Sequence, residues 1–195
     1  MQLAPGARRY AAPPLVAAIP ALLFVPPVGL ALIALAPGVL YFYRDPERTP
    51  PAEGLVSPAD GKISVIREEE GRLRVGVFMN VWNVHVNRAP RSGVVESVEH
   101  VDGAHRPAFS KESDRNERVH LTFEDYTVTL IAGAFARRIH PYPESGAIIE
   151  RGDRIGHISF GSRADVLLPP EYDRDDLVVE RGEKVRAGET VLARE

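Results

Sequence analysis

The run Phe160-Gly161-Ser162-Arg163 places an unshielded peptide carbonyl next to a hydroxyl. Glycine has no side chain to cover the Gly161 carbonyl, and the Ser162 oxygen lies on the very next residue. Those two groups are what a chain needs to cut itself by an N-to-O acyl shift. A Gly-Ser pair is also common in turns and bulges, so the pair alone decides little. Serine is a weak nucleophile until a base takes its proton, and that base needs an orienting partner. Both residue types lie upstream. Asp60 sits in the turn Ser57-Pro58-Ala59-Asp60-Gly61, and His85 sits in Asn83-Val84-His85-Val86-Asn87. Singly, these read as a turn aspartate and a structural histidine. Together, Asp60, His85 and Ser162 offer an acid, a base and a nucleophile. No Gly-x-Ser-x-Gly run occurs, which excludes the nucleophile elbow of an α/β-hydrolase.

Strands must position these groups. Apolar alternation or short apolar runs mark Lys62 to Arg67, Leu73 to Phe78, Val81 to Asn87, Val94 to Val101, Val119 to Phe123, Thr127 to Ala132, Arg154 to Phe160, Asp165 to Leu168 and Leu177 to Val179. Period two in the third of these puts Asn83, His85 and Asn87 on one face. No long helical period follows residue 44, so the domain is mainly β. Glu150-Arg151-Gly152-Asp153-Arg154-Ile155 is echoed thirty positions on by Glu180-Arg181-Gly182-Glu183-Lys184-Val185. Such Gly-acid turns predict a compact barrel-sandwich with biotinyl/lipoyl-like repeats. A carrier role is disfavoured, because none of Lys62, Lys111 and Lys184 occupies a carrier hairpin motif.

The N-terminal region differs. No charge occurs from Tyr10 to Tyr43, while Arg8, Arg9 and Arg44 flank the run. A span needs roughly 20 apolar residues. Pro13, Pro14, Pro20, Pro26, Pro27 and Pro37 make a soluble core helix improbable. Residues 1–43 are therefore expected to be a membrane anchor, either one kinked helix or a helical hairpin turning at Pro26-Pro27. Arginines at both ends favour a hairpin with the catalytic domain, residues 44–195, on the cytoplasmic side.

Composition excludes several classes. The 195 residues contain no cysteine, which removes disulfides and thiolate chemistry. A net charge of −3 without a basic block makes nucleic acid an unsuitable partner. His100 and His105 flank a loop without an evident third ligand, so no metal is expected. His120, His140 and His157 have no usable spacing. Arg88, Arg91, Arg137 and Arg138 have the geometry to hold a phosphate, as well as the option of being solvated surface.

Five segments in order resemble the phosphatidylserine decarboxylase family, in its short membrane-anchored form that includes archaetidylserine decarboxylases. They are Phe42 to Arg48, Ser57 to Ile63, Asn80 to Arg88, Asn116-Glu117-Arg118, and Gly152 to Pro169. The resemblance implies a self-cleaving proenzyme. Ser162 becomes a covalent pyruvoyl group after cleavage between Gly161 and Ser162, with His85 and Asp60 activating it. It implies a β chain of residues 1–161 and an α chain of residues 162–195, held as a heterodimer. The implied reaction converts a serine phospholipid to the ethanolamine lipid at a membrane, with Arg88 and Arg138 as candidates for the phosphate. One departure is Trp82, where longer bacterial members carry a second histidine. The alternative is a non-catalytic membrane-anchored β-sandwich that binds lipid or acts as a scaffold; keeping Asp60, His85 and Gly161-Ser162 together favours the enzyme.

Overall fold

The computed structural model describes residues 2–103, 115–133, 138–159 and 162–194. It comprises two compact units, Met1–Glu47 and Arg48–Glu195.

In the first unit the order is β1 (Gln2–Leu3), α1 (Ala7–Phe24), α2 (Pro26–Phe42) and β2 (Arg44–Asp45). The chargeless run breaks at Val25, because Pro26 and Pro27 lack donors for a continuing helix but suit the first turn of a new one. The two helices approach closely through small residues. A Cβ on Gly29 would lie 2.6 Å from Leu22 Cγ. Antiparallel pairing of β1 with β2 closes the base. The run is thus a hairpin and not one kinked helix. The expectation of a spanning helix is not met: no helix among the described residues is long and apolar enough to cross a membrane. At about 1.5 Å per residue, each helix reaches roughly 26 Å, short of the ~30 Å hydrocarbon core.

The second unit is mainly β. Its strands are β3 (Leu55–Val56), β4 (Gly61–Glu69), β5 (Arg72–Met79), β6 (Val86–Arg88), β7 (Gly93–Val101), β8 (Arg118–Phe123), β9 (Thr127–Ala132), β10 (Ile139–Pro141), β11 (Ile148–Ile149), β12 (Arg154–Ile158), β13 (Ser162–Leu167), β14 (Lys184–Val185) and β15 (Val191–Ala193). An eight-stranded antiparallel sheet, ordered β11-β7-β8-β9-β13-β5-β4-β14, curls into a half-barrel. A three-stranded sheet β10-β12-β6 and the pair β15-β3 complete the unit.

Strand β13 is central. Ser162, Ala164 and Val166 lie opposite Met79, Val77 and Val75 of β5, and opposite Ala132, Leu130 and Val128 of β9. Burial of these residues builds the core. The other face of β13 carries Arg163 and Asp165, which are also buried. A buried carboxylate must be paired. Asp165 accepts from Arg163 Nε at 2.7 Å and lies 3.5 Å from Arg74 Nη1. Its cross-strand partner is Gly76, where a Cβ would sit 2.5 Å from Asp165 Oδ1. Glycine at that position makes room for the charge.

Two strand assignments differ from the sequence pattern. Val81 to Asn87 is not one strand: residues 80–83 form a turn and only Val86–Arg88 pairs. Asparagine side chains capture the main-chain donors there, which competes with a ladder. Leu177 to Val179 makes only a single bridge, Leu177 to Ala193.

The internal echo is structural. Asp153 N donates to Glu150 O at 3.0 Å, and Glu150 N donates to the Asp153 carboxylate at 2.9 Å. Glu183 N and Glu180 N do the same at 3.2 and 3.1 Å. Gly152 and Gly182 have φ of 85° and 94°. The two sites differ in surroundings. A Cβ at 152 would lie 2.2 Å from Pro50 Cγ, whereas one at 182 meets nothing within 4 Å. Gly182→Ala should therefore cost about 1–2 kcal/mol from backbone conformation alone. Gly152→Ala should cost a further ~1–3 kcal/mol from the clash. Denaturant unfolding of both variants checks this; equal costs would mean that Pro50 moves aside freely.

Candidate active site

Ser162 opens β13 and is fully buried. Its Oγ lies 3.9 Å from Met79 Sδ, a weak acceptor. Phe160 and Gly161, the other half of the proposed cleavage bond, lie outside the described residues. The neighbouring strand end is pinned. Asn116 Nδ2 donates to Ala132 O at 2.7 Å, and Ala132 N donates to Glu117 O at 3.0 Å. Ala132 is the cross-strand partner of Ser162. Asn116 and Glu117 thus fix the main chain beside the serine.

His85 is buried just before β6. Asn83 N donates to Asn80 O at 3.0 Å, and Asn80 N donates to Asn83 Oδ1 at 2.9 Å. That clamp aims the Asn83 carbonyl at the imidazole, 3.0 Å from Nδ1. A carbonyl only accepts, so Nδ1 carries the hydrogen and the neutral ring keeps its lone pair on Nε2. This is the tautomer a general base requires. Two contacts join the His85 segment to β12 and to Met79, the sheet neighbour of Ser162. Ile158 N, four residues before Ser162, donates to His85 O at 3.3 Å. Asn87 Nδ2 lies 3.7 Å from the same Met79 Sδ that touches Ser162.

Asp60, which the sequence expectation has orienting His85, is held by an arginine and a main-chain amide. Its Oδ1 accepts from Arg48 Nη2 at 3.1 Å and from Ala187 N at 2.9 Å, and its Oδ2 accepts from Arg48 Nη2 at 3.0 Å. Arg48 Nη1 also reaches Glu189 Oε2 at 2.9 Å. The Asn83 carbonyl holds the ring position that triad logic assigns to a carboxylate. Arg48, at the end of the Phe42 to Arg48 segment, was not singled out from sequence. An arginine shared by two distant carboxylates leaves no local pattern.

The candidate phosphate arginines separate. Arg88 is buried, and its Nη1 donates to Gly152 O at 2.8 Å, clamping a turn. Arg138 is exposed, and its carbonyl accepts from Ser159 N at 3.4 Å, close to the cleavage segment. Arg91 pairs with Asp125 and Glu171 at 3.0 and 2.7 Å. Arg137 and His105 lie outside the described residues. His100 is exposed and 3.0 Å from Glu117. No group of metal ligands occurs among the described residues.

A cluster that sequence spacing did not reveal lies beside His85. His157 pairs with His140 across β10 and β12, and with Val86 across β12 and β6. The His140 and His157 rings stack at 4.5 Å, and Tyr142 Oη lies 2.9 Å from His157 Nδ1. Only strand register brings these residues together. Burial first, then neighbouring His140 and His85, push the His157 ring from its ordinary value near 6.5 down to about 4. His140 is also lowered, by burial and by Arg138. His157 therefore stays neutral near pH 7.

A family model described as phosphatidylserine decarboxylase matches residues 35–193. A Halobacterium salinarum protein, provisionally named an archaetidylserine decarboxylase proenzyme, is 63% identical over 191 residues, covering 97% of each chain. The phosphatidylserine decarboxylase proenzyme of Thermobifida fusca is 52% identical over 86% of this chain and 78% of its own. A Methanosarcina mazei protein, provisionally named an archaetidylserine decarboxylase proenzyme, is 42% identical over 90% of this chain and 82% of its own. No solved structure matches the chain.

The depressed His157 pKa has a consequence for stability. Between about 6.5 and about 4 the unfolded chain binds a proton that the folded chain refuses. The contribution of the neutral ring is fully present above 6.5 and is lost as pH falls toward 4. A gap of this size is worth on the order of 3 kcal/mol. His157→Gln retains a partner for Tyr142 but cannot titrate. Its urea midpoint should fall less than the parent's between about pH 7 and about pH 4.5. Parallel falls would show that the acid sensitivity arises elsewhere.

Proposed function

This chain belongs to the phosphatidylserine decarboxylase family, and we propose that it matures and acts through Ser162 at the start of β13 and His85 just before β6. It is a carboxy-lyase of proenzyme type that decarboxylates a serine phospholipid. The observation that carries the residue assignment is the placement of Ser162. The serine is fully buried at the head of a central strand, and the His85 tautomer is set by the Asn83 carbonyl.

In maturation, His85 Nε2 takes the Ser162 hydroxyl proton. The oxygen attacks the Gly161 carbonyl carbon, the Gly161–Ser162 C–N bond breaks, and an ester forms. Loss of the Ser162 α-proton expels the Gly161 carboxylate. Water then releases ammonia and leaves a pyruvoyl group on residue 162. The site suits that group: Ser162 lies among Met79, Ala132 and Ala164, an apolar setting that shields a ketone from water. When present, the pyruvoyl ketone condenses with an amine and draws electrons as a carboxylate leaves. The other residues hold the site. Arg48 and Ala187 fix the Asp60 carboxylate. His85 returns the proton. Arg138, the exposed one of the two candidate arginines, is suited to meet the lipid phosphate. The paired Gly-acid turns support reading the unit as a barrel-sandwich of biotinyl/lipoyl type.

The helical hairpin is read as a membrane anchor that enters one leaflet, with the catalytic unit on the cytoplasmic side. Its closed end exposes Leu23 at 78% and Phe24 at 83%. Its open end carries Arg8, Arg9 and Arg44, with Arg44 set 4.0 Å over the Tyr41 ring and Tyr10 stacked on Tyr43. An apolar tip with an aromatic and basic base matches the layers of a bilayer interface.

Intact mass should show two chains, 1–161 and 162–195, the smaller one blocked to Edman chemistry. Ser162→Ala should remain one chain. His85→Ala should slow cleavage by about 10²–10⁴-fold, the usual worth of a general base. A fully active uncut chain would end the proposal. Separately, Leu23→Glu with Phe24→Glu should release the protein from vesicles while cleavage proceeds. Continued sedimentation with vesicles would remove the hairpin from the anchoring role.

A further inference from the structure

The turn between Met79 and His85 has a second property besides aiming the Asn83 carbonyl. Asn80 and Asn83 close it by exchanging main-chain and side-chain hydrogen bonds, and Trp82 N donates to Asn80 Oδ1 at 2.9 Å. This rigid turn presents Val81 at 50% and Trp82 at 73% exposure. Met79, just before it, faces Ser162, and His85, just after it, is buried. Two exposed apolar side chains are thus held between two residues of the site.

The reading that follows rests on the lipid decarboxylase function above. A bilayer lipid must bring its headgroup to a serine that is wholly buried. A surface of the catalytic unit close to that serine must therefore meet the membrane. An indole has an apolar body and one N–H donor, and it prefers the boundary between headgroups and acyl chains. A rigid turn pays little conformational entropy on docking.

We propose that the Val81–Trp82 turn is a membrane-docking finger of the catalytic unit, seated at the headgroup boundary between the site residues Met79 and His85. It acts apart from the helical hairpin. The hairpin tethers the chain, and the finger sets the catalytic unit on the bilayer surface so that a serine headgroup reaches the site. Trp82 touches the membrane, and its part in turnover is one of positioning.

The chain holds a single tryptophan, so its intrinsic fluorescence reports position 82 alone. The full-length protein would be reconstituted into vesicles of serine phospholipid, with or without a lipid brominated near the headgroup end of its acyl chains. The expected result is quenching of Trp82 by the brominated lipid and an emission shifted to the blue. Unquenched emission at the solvent position would overturn the finger. So would a blue shift that ignores bromine but grows with protein concentration, since that marks a second copy covering the turn.

Trp82→Ala should lose about 10-fold in turnover per substrate concentration on vesicles, mainly through KM, as expected for withdrawing one large apolar side chain. Turnover of a monomeric short-chain serine lipid should fall far less, and Trp82→Phe should recover part of the vesicle activity. Equal losses on both substrates would place Trp82 inside the site and refute docking. If Trp82→Ala fails to mature, the quenching measurement on the parent chain still decides. Quenching without any decarboxylation would leave the finger standing and count against the enzyme reading instead.

Discussion

Hydrogen bonding of β13 between β5 and β9 is the constraint on which the rest of the unit depends. Six consecutive residues, Ser162 to Leu167, are paired on both sides. Burial on both faces and pairing on both edges leave the head of this strand nowhere to move. Ser162 is thereby held by its own strand. The same pairing explains how a chain could be cut at 161 and stay assembled. The segment after the cut contributes β13, β14 and β15, which pair with β5, β9, β4 and β3 from before it. None of these ladders needs the Gly161–Ser162 bond.

Ion pairs repeat this logic on a smaller scale. Arg48 joins Asp60 to Glu189 and so links a residue before the proposed cut to one after it. Arg74 and Arg163 neutralise Asp165 within the sheet, with Gly76 providing the space. Buried pairs of this type add little net stability. Removing one partner, however, strands a charge at a cost of roughly 3–5 kcal/mol. Their effect is to specify register. A one-residue slip of β13 would turn Asp165 toward the core and Ser162 away from it.

His85 depends on a different device, a turn closed by two asparagines. That turn both selects the imidazole tautomer through the Asn83 carbonyl and displays Trp82. The residue that looked like a loss, tryptophan where a longer relative has a second histidine, stands on the outside of the site. Near His85 a further imidazole is His157, supplied by strand β12 and held by Tyr142.

The candidate residues could be picked out of the sequence because they reside in local runs. Gly161-Ser162, the Asp60 turn and the His85 segment are each contiguous, and their order matched a family. The β character was legible because alternation is a local property, and the Gly-acid echo because its turns are built within a few residues. Proline at 26 and 27 marked the turn of a hairpin, whereas the expectation of a span met helices that the structure shows to be too short. Other features needed the tertiary structure. Arg48 on Asp60, Tyr142 on His157, and Gly76 under Asp165 join residues far apart in the chain, and only strand register and packing select such partners. The turn at residues 80–83 read as strand because apolar alternation counts side chains. It does not record that asparagine side chains take the donors a ladder would need.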